Sequence, residues 1–399
     1  MVTAEDAAQA ASQRTTRRLL YIGIPLFWSS WYIYNAYFSV YAKSLGASLS
    51  LVGAIVAAYG FTQALLRMPL GVACDRLGKR KPFVLAGAAV GTLSSAVLLI
   101  APLPMLLLLG RGLAGVAAAC WVPLSVLMVS SYPKDKVSQA TSMTTALSGL
   151  GTMISSYVGG QLAQSFGVRV PFWVGIGLGV MAFALLSRVR EPARGASKTA
   201  SVVSLLSVGK VWMVLLVSML AFLGQYNNWA TTQYFVPLYA AQLGANKAQL
   251  GLLMSAWQAC NTVTCFFAGT INVRLGTRWT VVLGTLVAVL TTVFVPAMHS
   301  LPSLVLLRAL HGVGQGIAFP VLMAAALSAV PDERRTASMG FFQAIYAFGM
   351  VAGPAVSGLF ADSLGLVSTF YLIGALSLAS ALAAGALLPH RVRSHEASG

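Results

Sequence analysis

Acidic residues are scarce in this chain, 9 Asp+Glu in 399 positions, and charged residues of all kinds make up only 9%. A soluble domain carries about 25% charged residues, so a chain this poor in charge cannot cover a water-facing surface of its length. Disorder is excluded as well, since it needs low hydrophobicity and many charges. Cysteine is rare too. Cys74, Cys120, Cys260 and Cys265 lie in or at the ends of apolar stretches, with no CxxC and no His at ligand spacing, so neither a metal site nor a disulfide framework is indicated. No Walker sequence is present, which argues against direct ATP drive, and no cofactor is called for. The 38 glycines have no three-residue period, which removes collagen. What the chain has in excess is apolar surface, 57% of residues and a mean hydropathy of +0.78. This is the composition of an integral membrane protein.

A bilayer-spanning helix needs about 20 largely apolar residues. That ruler predicts spans near 20–41, 51–73, 83–101, 105–129, 141–164 and 171–187, then near 211–239, 249–272, 279–298, 303–330, 338–360 and 367–388. The expectation is an all-α integral membrane protein of twelve transmembrane helices. The first apolar run is too long for a signal-peptide core and has no small-residue cleavage site, so it is read as the first span. Of the 26 Lys and Arg, twenty fall on one side of the spans, Arg14, Arg17 and Arg18 in the N-terminal tail and Arg391 and Arg393 in the C-terminal tail among them. Lys43, Arg169 and Lys247 fall on the other side, and Arg67, Arg111 and Arg308 remain inside spans. Short cytoplasmic loops are enriched in Lys and Arg, so both termini are expected in the cytoplasm, in a multi-pass protein of the plasma (inner) membrane. The same enrichment accounts for the net charge of +17. No basic run interleaved with aromatics lies outside an apolar context, which argues against a nucleic-acid partner. The polar stretch 189–210 is the natural linker between two six-helix bundles, 19–188 and 211–388, with short tails at 1–18 and 389–399.

The two bundles repeat each other. Gly71-Val-Ala-Cys-Asp75-Arg76-Leu77-Gly78-Lys79-Arg80 follows span 2, and Gly269-Thr-Ile-Asn-Val273-Arg274-Leu275-Gly276-Thr277-Arg278 follows span 8, 198 positions later. That offset also pairs Trp31 with Trp229, Asn35 with Gln233, Tyr41 with Tyr239 and Gly46 with Gly244; an offset of 197 pairs Arg111, Gly115 and Pro123 with Arg308, Gly312 and Pro320. Two parallel six-helix halves are a transporter architecture. Over essentially its full length the sequence resembles the major facilitator superfamily (MFS), bacterial-type. Its 2–3 loop, GVACDRLGKRK, matches that family's loop signature, and Arg111 with Gly115 matches the family's span-4 arginine motif. Span 11, from Gly349 through Gly353 and Pro354 to Gly358, looks like the family's antiporter-type Gly-Pro signature, which normally sits in span 5; there the chain has Ser155 and Ser156 in place of the central Gly and Pro.

The resemblance implies a gate at the 2–3 loop. Gly71 would let the end of span 2 approach a neighbour closely, and Asp75 would sit at the positive N-terminus of span 11. Gly78 belongs to the same motif, and Arg76, Arg80 and Lys81 would pair with loop carboxylates such as Asp135. The second copy has Val273 in place of Asp75, so only one latch carries charge.

Charged groups within spans cost about 2.5–3.5 kcal/mol on insertion scales and are candidate functional groups for that reason. Arg111 and Arg308 start roughly 9 Å below the outer edge at 1.5 Å per residue, within snorkelling reach of it, so each reads equally as a substrate ligand or a packing group; Arg67 reads as structural. No carboxylate falls in the middle of a span, and His311 is the single mid-span group that titrates near neutrality. It shares a face with Arg308 and Gln315, and reads either as a packing group or as a substrate or proton site. Span 7 concentrates amides and hydroxyls, with Gln225, Asn228 and Thr232 on one face; so many polar groups must line a cavity or pack on protein. Trp31 and Asn35 in span 1, and Gln343 and Tyr346 in span 11, stand in matching places. In the family spans 1, 4, 7 and 10 line the central cavity, and the candidate substrate contacts lie largely on them: Trp31, Asn35, Arg111, Asn228, Thr232, Arg308, His311 and Gln315, with Gln343 and Tyr346 from span 11.

The function read from the sequence is secondary transport of a small organic solute across a lipid bilayer by alternating access, as export of a metabolite or drug-like compound. Uptake or exchange of an organic anion through the intramembrane arginines is the alternative, and a transport-derived membrane sensor is a remote one. Coupling to a proton or counter-ion stays open, and the family leads one to expect a monomer. No nucleophile, base or metal cluster of an enzyme is found.

Overall fold

The computed structural model describes residues 4–100, 103–133, 136–191, 207–331 and 334–391, with backbone only for 4–12, 68, 75, 137 and 138. Most of these residues are helical, and no strand occurs among them. The first helix, α1, is Ala4–Tyr32, continued by a 3-10 turn at Asn35–Tyr37 and a short helix Phe38–Ser44. Next come α2 (Leu49–Leu77), α3 (Lys81–Ile100) and α4, which runs Pro104–Ala119 and, after a break at Cys120, Trp121–Ser130. Two further helices, α5 (Val137–Ser165) and α6 (Val170–Ser187), complete the first six. Beyond the linker, α7 is Trp212–Ala230, a π-helical turn Thr231–Phe235 and Val236–Gln242. Lys247–Val293 is continuous in hydrogen bonding but bent at Gly276, and supplies α8 (247–275) and α9 (277–293). Then come α10 (Leu301–Ser328) and, from Arg335–Leu387 bent at Gly365, α11 (335–364) and α12 (366–387).

Each bend reverses the chain. The two ends of Lys247–Val293 lie on one face: Lys247 N–H donates to Gln164, and just past Val293 the carbonyl of Pro296 accepts from Tyr239 at the end of α7. Gly276 lies at the other face, against His390 near the C-terminus. Among the described residues seven helices are long and apolar enough to cross a membrane; counting the bent pair in two of them as separate passes, α1, α5 and α7 supply the rest of twelve. Those three fall short because they carry the polar side chains, α5 and α7 in their middles and α1 in its first turns.

The repeat is visible as turn chemistry. Glycines with positive φ stand at 46, 78, 167, 244, 276 and 365. They form three pairs 198 apart, and each ends a helix where an L residue with a Cβ would be strained. Ser48 caps α2 through the Leu51 amide, and Asn246, again 198 positions on, caps α8 with Gln249 in a capping box. Packing repeats too. A Cβ on Gly115 would lie 2.1 Å from the Tyr59 carbonyl oxygen, and one on Gly312 2.3 Å from that of Trp257, so α4 meets α2 as α10 meets α8. With no water to escape from in the bilayer core, membrane helices associate through such close backbone approaches.

Among the described residues, the face with both ends of the described chain is also the face with most of the cations. Arg17 donates to the Ser131 carbonyl at the end of α4, Thr16 to that of Arg190, and Arg278 to that of Leu388. We call it the basic face, and its opposite the far face.

Candidate functional site

Between the first six and the last six helices α1 and α2 meet α7, with α4 packed on α2 and α10 on α7. Here α1 breaks into its 3-10 turn and α7 into its π turn, at positions the repeat makes equivalent. Such irregular turns release side chains from the regular helical stagger, and π turns recur at functional sites. Asn35 Nδ2 donates to Gln233 Oε1 at 2.5 Å. These partners are the repeat images of each other, so the bond sits where the two halves of the sequence meet. Both are buried, so losing one partner strands the other. Asn35→Ala is expected to lower stability by about 1–3 kcal/mol, Gln233→Ala by a similar amount, and the double variant by no more than either alone. A thermal-unfolding double-mutant cycle reads this, and simple additivity would refute the pairing.

Arg308 of α10 donates through Nη2 to Thr232 Oγ1, which donates to Asn228 Oδ1 at 2.9 Å. Arg111 of α4 lies 4.7 Å from the ring centre of Tyr59 and 5.5 Å from that of Phe38. Tyr59 in turn stacks on Trp229 of α7 at 5.1 Å, which carries the contact from the first six helices to the last six. Both arginines are 2% exposed. Arg111 Nε and Nη1 and Arg308 Nη1 have no hydrogen-bond partner, and among the described residues no carboxylate pairs with either. Two ring faces return up to about 2 kcal/mol each when desolvated, which roughly offsets the cost of placing Arg111 in a span. The open N–H groups are not offset. Each arginine therefore presents buried positive charge with unused donors.

Other predicted contacts lie elsewhere. Trp31 is fully buried against Phe27 and Trp28, with Gly91 of α3 under its ring; it packs within the first six helices, because Gly91 leaves the space that the indole fills. His311 is also fully buried, its Nδ1 3.0 Å from Thr291 Oγ1 of α9. The Thr291 hydroxyl also lies 2.7 Å from the Val287 carbonyl, and His311 Nε2 has no partner. Gln315 lines a small pocket with Asn227, Ser377 and Ser380, about 20 Å³, room for one water. The face shared by Arg308, His311 and Gln315 is thus divided: Arg308 turns to α7, and the other two turn into the interior of the last six helices. Gln343 and Tyr346 are half-buried on α11. The Tyr346 hydroxyl accepts from Arg67 Nη1 at 2.6 Å, so Arg67 bridges α2 to α11. Sequence reasoning missed Tyr59 as a site residue, although Trp257 stands 198 positions beyond it.

The gate region differs from expectation. Nothing lies within 4 Å of a Cβ on Gly71, so the close approach expected there is not made in this conformation. The reason is the divergence of α2 and α11. On the far-face side Gly53 meets the Pro354 carbonyl and Gly60 meets Met350. Toward the basic face a cavity of about 870 Å³, lined by Phe61, Leu65, Pro69, Arg76, Leu77 and Phe348, lies between the helices, which the Arg67–Tyr346 hydrogen bond still bridges. Gly78 ends α2 in the left-handed conformation. The carboxylate seen at this loop is Glu191, which accepts from the backbone amides of Arg80 and Lys81 at 2.7 and 2.9 Å and so caps α3; the expected partner Asp135, and the side chain of Asp75, lie outside the described residues. The small residues of α11 act as packing surface: Gly349 and Gly353 meet the backbone of Phe222 and Tyr226 on α7, and Gly358 meets α2.

The fold and sequence have clear relatives. The chain is 23% identical over 343 residues to the multi-drug resistance efflux pump PmrA of Streptococcus pneumoniae, which covers 83% of this chain and 86% of that one. The crystal structure of a mutant of the nucleoside transporter NupG superposes with a TM-score of 0.80 at 14% identity, over 95% of this chain and 100% of the other. A bacterial homolog of the human lysosomal transporter Spinster, in an inward-facing and unoccupied conformation, gives a TM-score of 0.76 at 13% identity over 94% of this chain and 96% of that one. The family model of the Major Facilitator Superfamily matches residues 20–239 and again 214–399. Passes, repeat and matches agree: the chain belongs to the Major Facilitator Superfamily, whose members are transport proteins for small solutes in a lipid bilayer, and it is not an enzyme.

Proposed function

We propose that this protein exports a small organic solute bearing an anionic group, by alternating access of the Arg111–Arg308 site to the two membrane faces. The observation that carries this reading is the pair of buried arginines with unused N–H groups and no carboxylate partner among the described residues. A buried charge left unpaired is strongly unfavourable, and a solute anion would supply the missing partner. Asn228 and Thr232 hold Arg308 toward the solute, Tyr59 and Trp229 offer it aromatic faces, and Asn35 with Gln233 marks the axis about which the bundles 19–188 and 211–388 rock. His311, Gln315 and Trp31 support the site from behind it. The excess of cations on the basic face supports a cytoplasmic position for both termini. The parting of α2 and α11 on that face then makes this conformation inward-facing, as in the Spinster homolog. Gly71, Asp75, Arg76, Gly78, Arg80 and Lys81 would close the same face when the protein turns outward. Export is favoured by the name of the Streptococcus pneumoniae relative.

The stacked Tyr59 and Trp229 favour a second reading, efflux of neutral or cationic aromatic compounds. A thermal-shift screen of the purified protein against organic acids, phosphates and aromatic amines separates the two, because a ligand stabilises the state that binds it. Carboxylates or phosphates that raise Tm in the wild type, and not in Arg308→Gln, are expected. Stabilisation by cationic aromatics alone would replace the anion reading with the second one.

A further inference from the structure

The far face is held by a carboxylate that the gate motif does not include. Asp362, at the end of α11, accepts from the Leu49 amide at 3.0 Å and the Ser50 amide at 2.9 Å, the first turn of α2. It spans the first six and the last six helices, and it places negative charge on the positive end of a helix. The Tyr234 hydroxyl of α7 donates to the Leu49 carbonyl beside it, a second tie at the same point. The repeat copies the arrangement. Gln164, 198 positions before Asp362, accepts from the Lys247 amide at 3.2 Å in the first turn of α8, and Lys247 stands 198 positions after Leu49. Both edges of the far face are therefore closed by the same device, charged on the α2–α11 edge and neutral on the α5–α8 edge.

We propose that Asp362 is the far-face latch of the transport cycle, the contact that must break before the site can open on that side. Helices α2 and α11 run antiparallel, touch at Gly53 and Gly60, and part at the other end around the 870 Å³ cavity. Helices this long move as rigid rods, so closing the basic end levers the far end apart, and the latch energy sets the balance between the two states. The proposal rests on the alternating-access reading above.

Lys43 and Tyr234 are the titratable groups that act with the carboxylate. The Ser50 hydroxyl first, then the two amides and Lys43, hold the Asp362 carboxyl below its usual range, against a burial effect that raises it. A depressed carboxyl supports the closed state in full above the ordinary value of about 3.9 and loses that support as pH falls through the lowered one. Between pH 8 and 5 the latch stays charged, so external acidity in that window leaves it shut.

Hydrogen–deuterium exchange on the full-length protein tests the latch without any solute. In Asp362→Ala, amides in the first turns of both α2 and α8 are expected to exchange about tenfold faster, while those near residues 70–77 and 344–351 slow as the basic end closes. Asp362→Asn, which keeps one acceptor and the shape, is expected to give a smaller change of the same pattern. Faster exchange confined to α2 in both variants would make Asp362 a local helix cap and overturn the proposal, as would no change at all. Transport reading and latch fail separately: a solute found by the thermal-shift screen with exchange unmoved in Asp362→Ala removes the latch and leaves the transporter. An opened far face with no solute bound keeps the latch and removes the proposed substrate class.

Discussion

Arg308→Gln is expected to weaken binding of an anionic solute by roughly 30-fold or more while leaving the solute-free protein as stable as before, or more so. Two opposite effects of one side chain produce this. With solute bound, Arg308 makes a buried charge-assisted contact, and removing such a partner costs about 2–5 kcal/mol, where each 1.4 kcal/mol is tenfold in affinity. Without solute, Arg308 is 2% exposed with Thr232 as its hydrogen-bond partner and Nη1 unpaired, so a shorter, neutral amide relieves a buried charge. Arg308→Lys is expected to bind at an intermediate level, since it keeps the charge and loses the planar fork. Arg111→Gln should weaken binding as well but gain less stability, because the guanidinium leaves the faces of Tyr59 and Phe38. Calorimetric titration with the acid found by the screen, beside unfolding curves of the empty proteins, measures both halves. Unchanged affinity in both variants would return the arginines to packing.

The second large effect is steric. A Cβ on Gly159 would lie 1.5 Å from the carbonyl oxygen of Ile33, where α5 crosses α1. A backbone oxygen cannot swing aside as the tip of a side chain can, so Gly159→Ala must push two helices apart. Overpacking of this kind costs about 1–3 kcal/mol or more, and the Ile33 carbonyl sits next to the turn that presents Asn35. The variant is expected to unfold several degrees lower in detergent and to lose solute binding. Gly71→Ala is the contrast. Its Cβ meets nothing within 4 Å, and Ala is worth up to about 1 kcal/mol over Gly inside a helix, so this conformation should be as stable or slightly more so. Equal loss of stability in the two variants would contradict the packing described here.

These expectations show how far the sequence carries. Composition and the length of apolar runs determined that the chain is a bundle of membrane helices, because bilayer thickness and backbone hydrogen bonding leave a single workable solution for such runs. The 198-residue offset announced the repeat, and the structure repeats with it down to the φ of Gly46 and Gly244, both +87°. The offset even contained Asn35 with Gln233, and Gln164 with Asp362 was there to be found by the same subtraction. Helix identity was legible because each helix is decided locally.

Partnership was not, because it depends on which neighbour a side chain meets. Arg308, His311 and Gln315 share one face of α10, yet that face is wide enough to touch both α7 and α9, and only the packing of three helices sends one side chain to Thr232 and another to Thr291. Trp31 and Asn35 lie one helical turn apart on α1. Gly91 draws the first into the bundle, and the 3-10 turn at Asn35–Tyr37 aims the second at Gln233. Asp362 read as a carboxylate at a helix end and nothing more, since no local pattern records that the start of α2, more than three hundred residues earlier, lies against it. The sequence by itself determined where the chain crosses the membrane, for the local reason that an unpaired peptide group in hydrocarbon is forbidden. The tertiary structure alone decided which partner each side chain meets, because such contacts join helices distant in the chain that neither encodes separately.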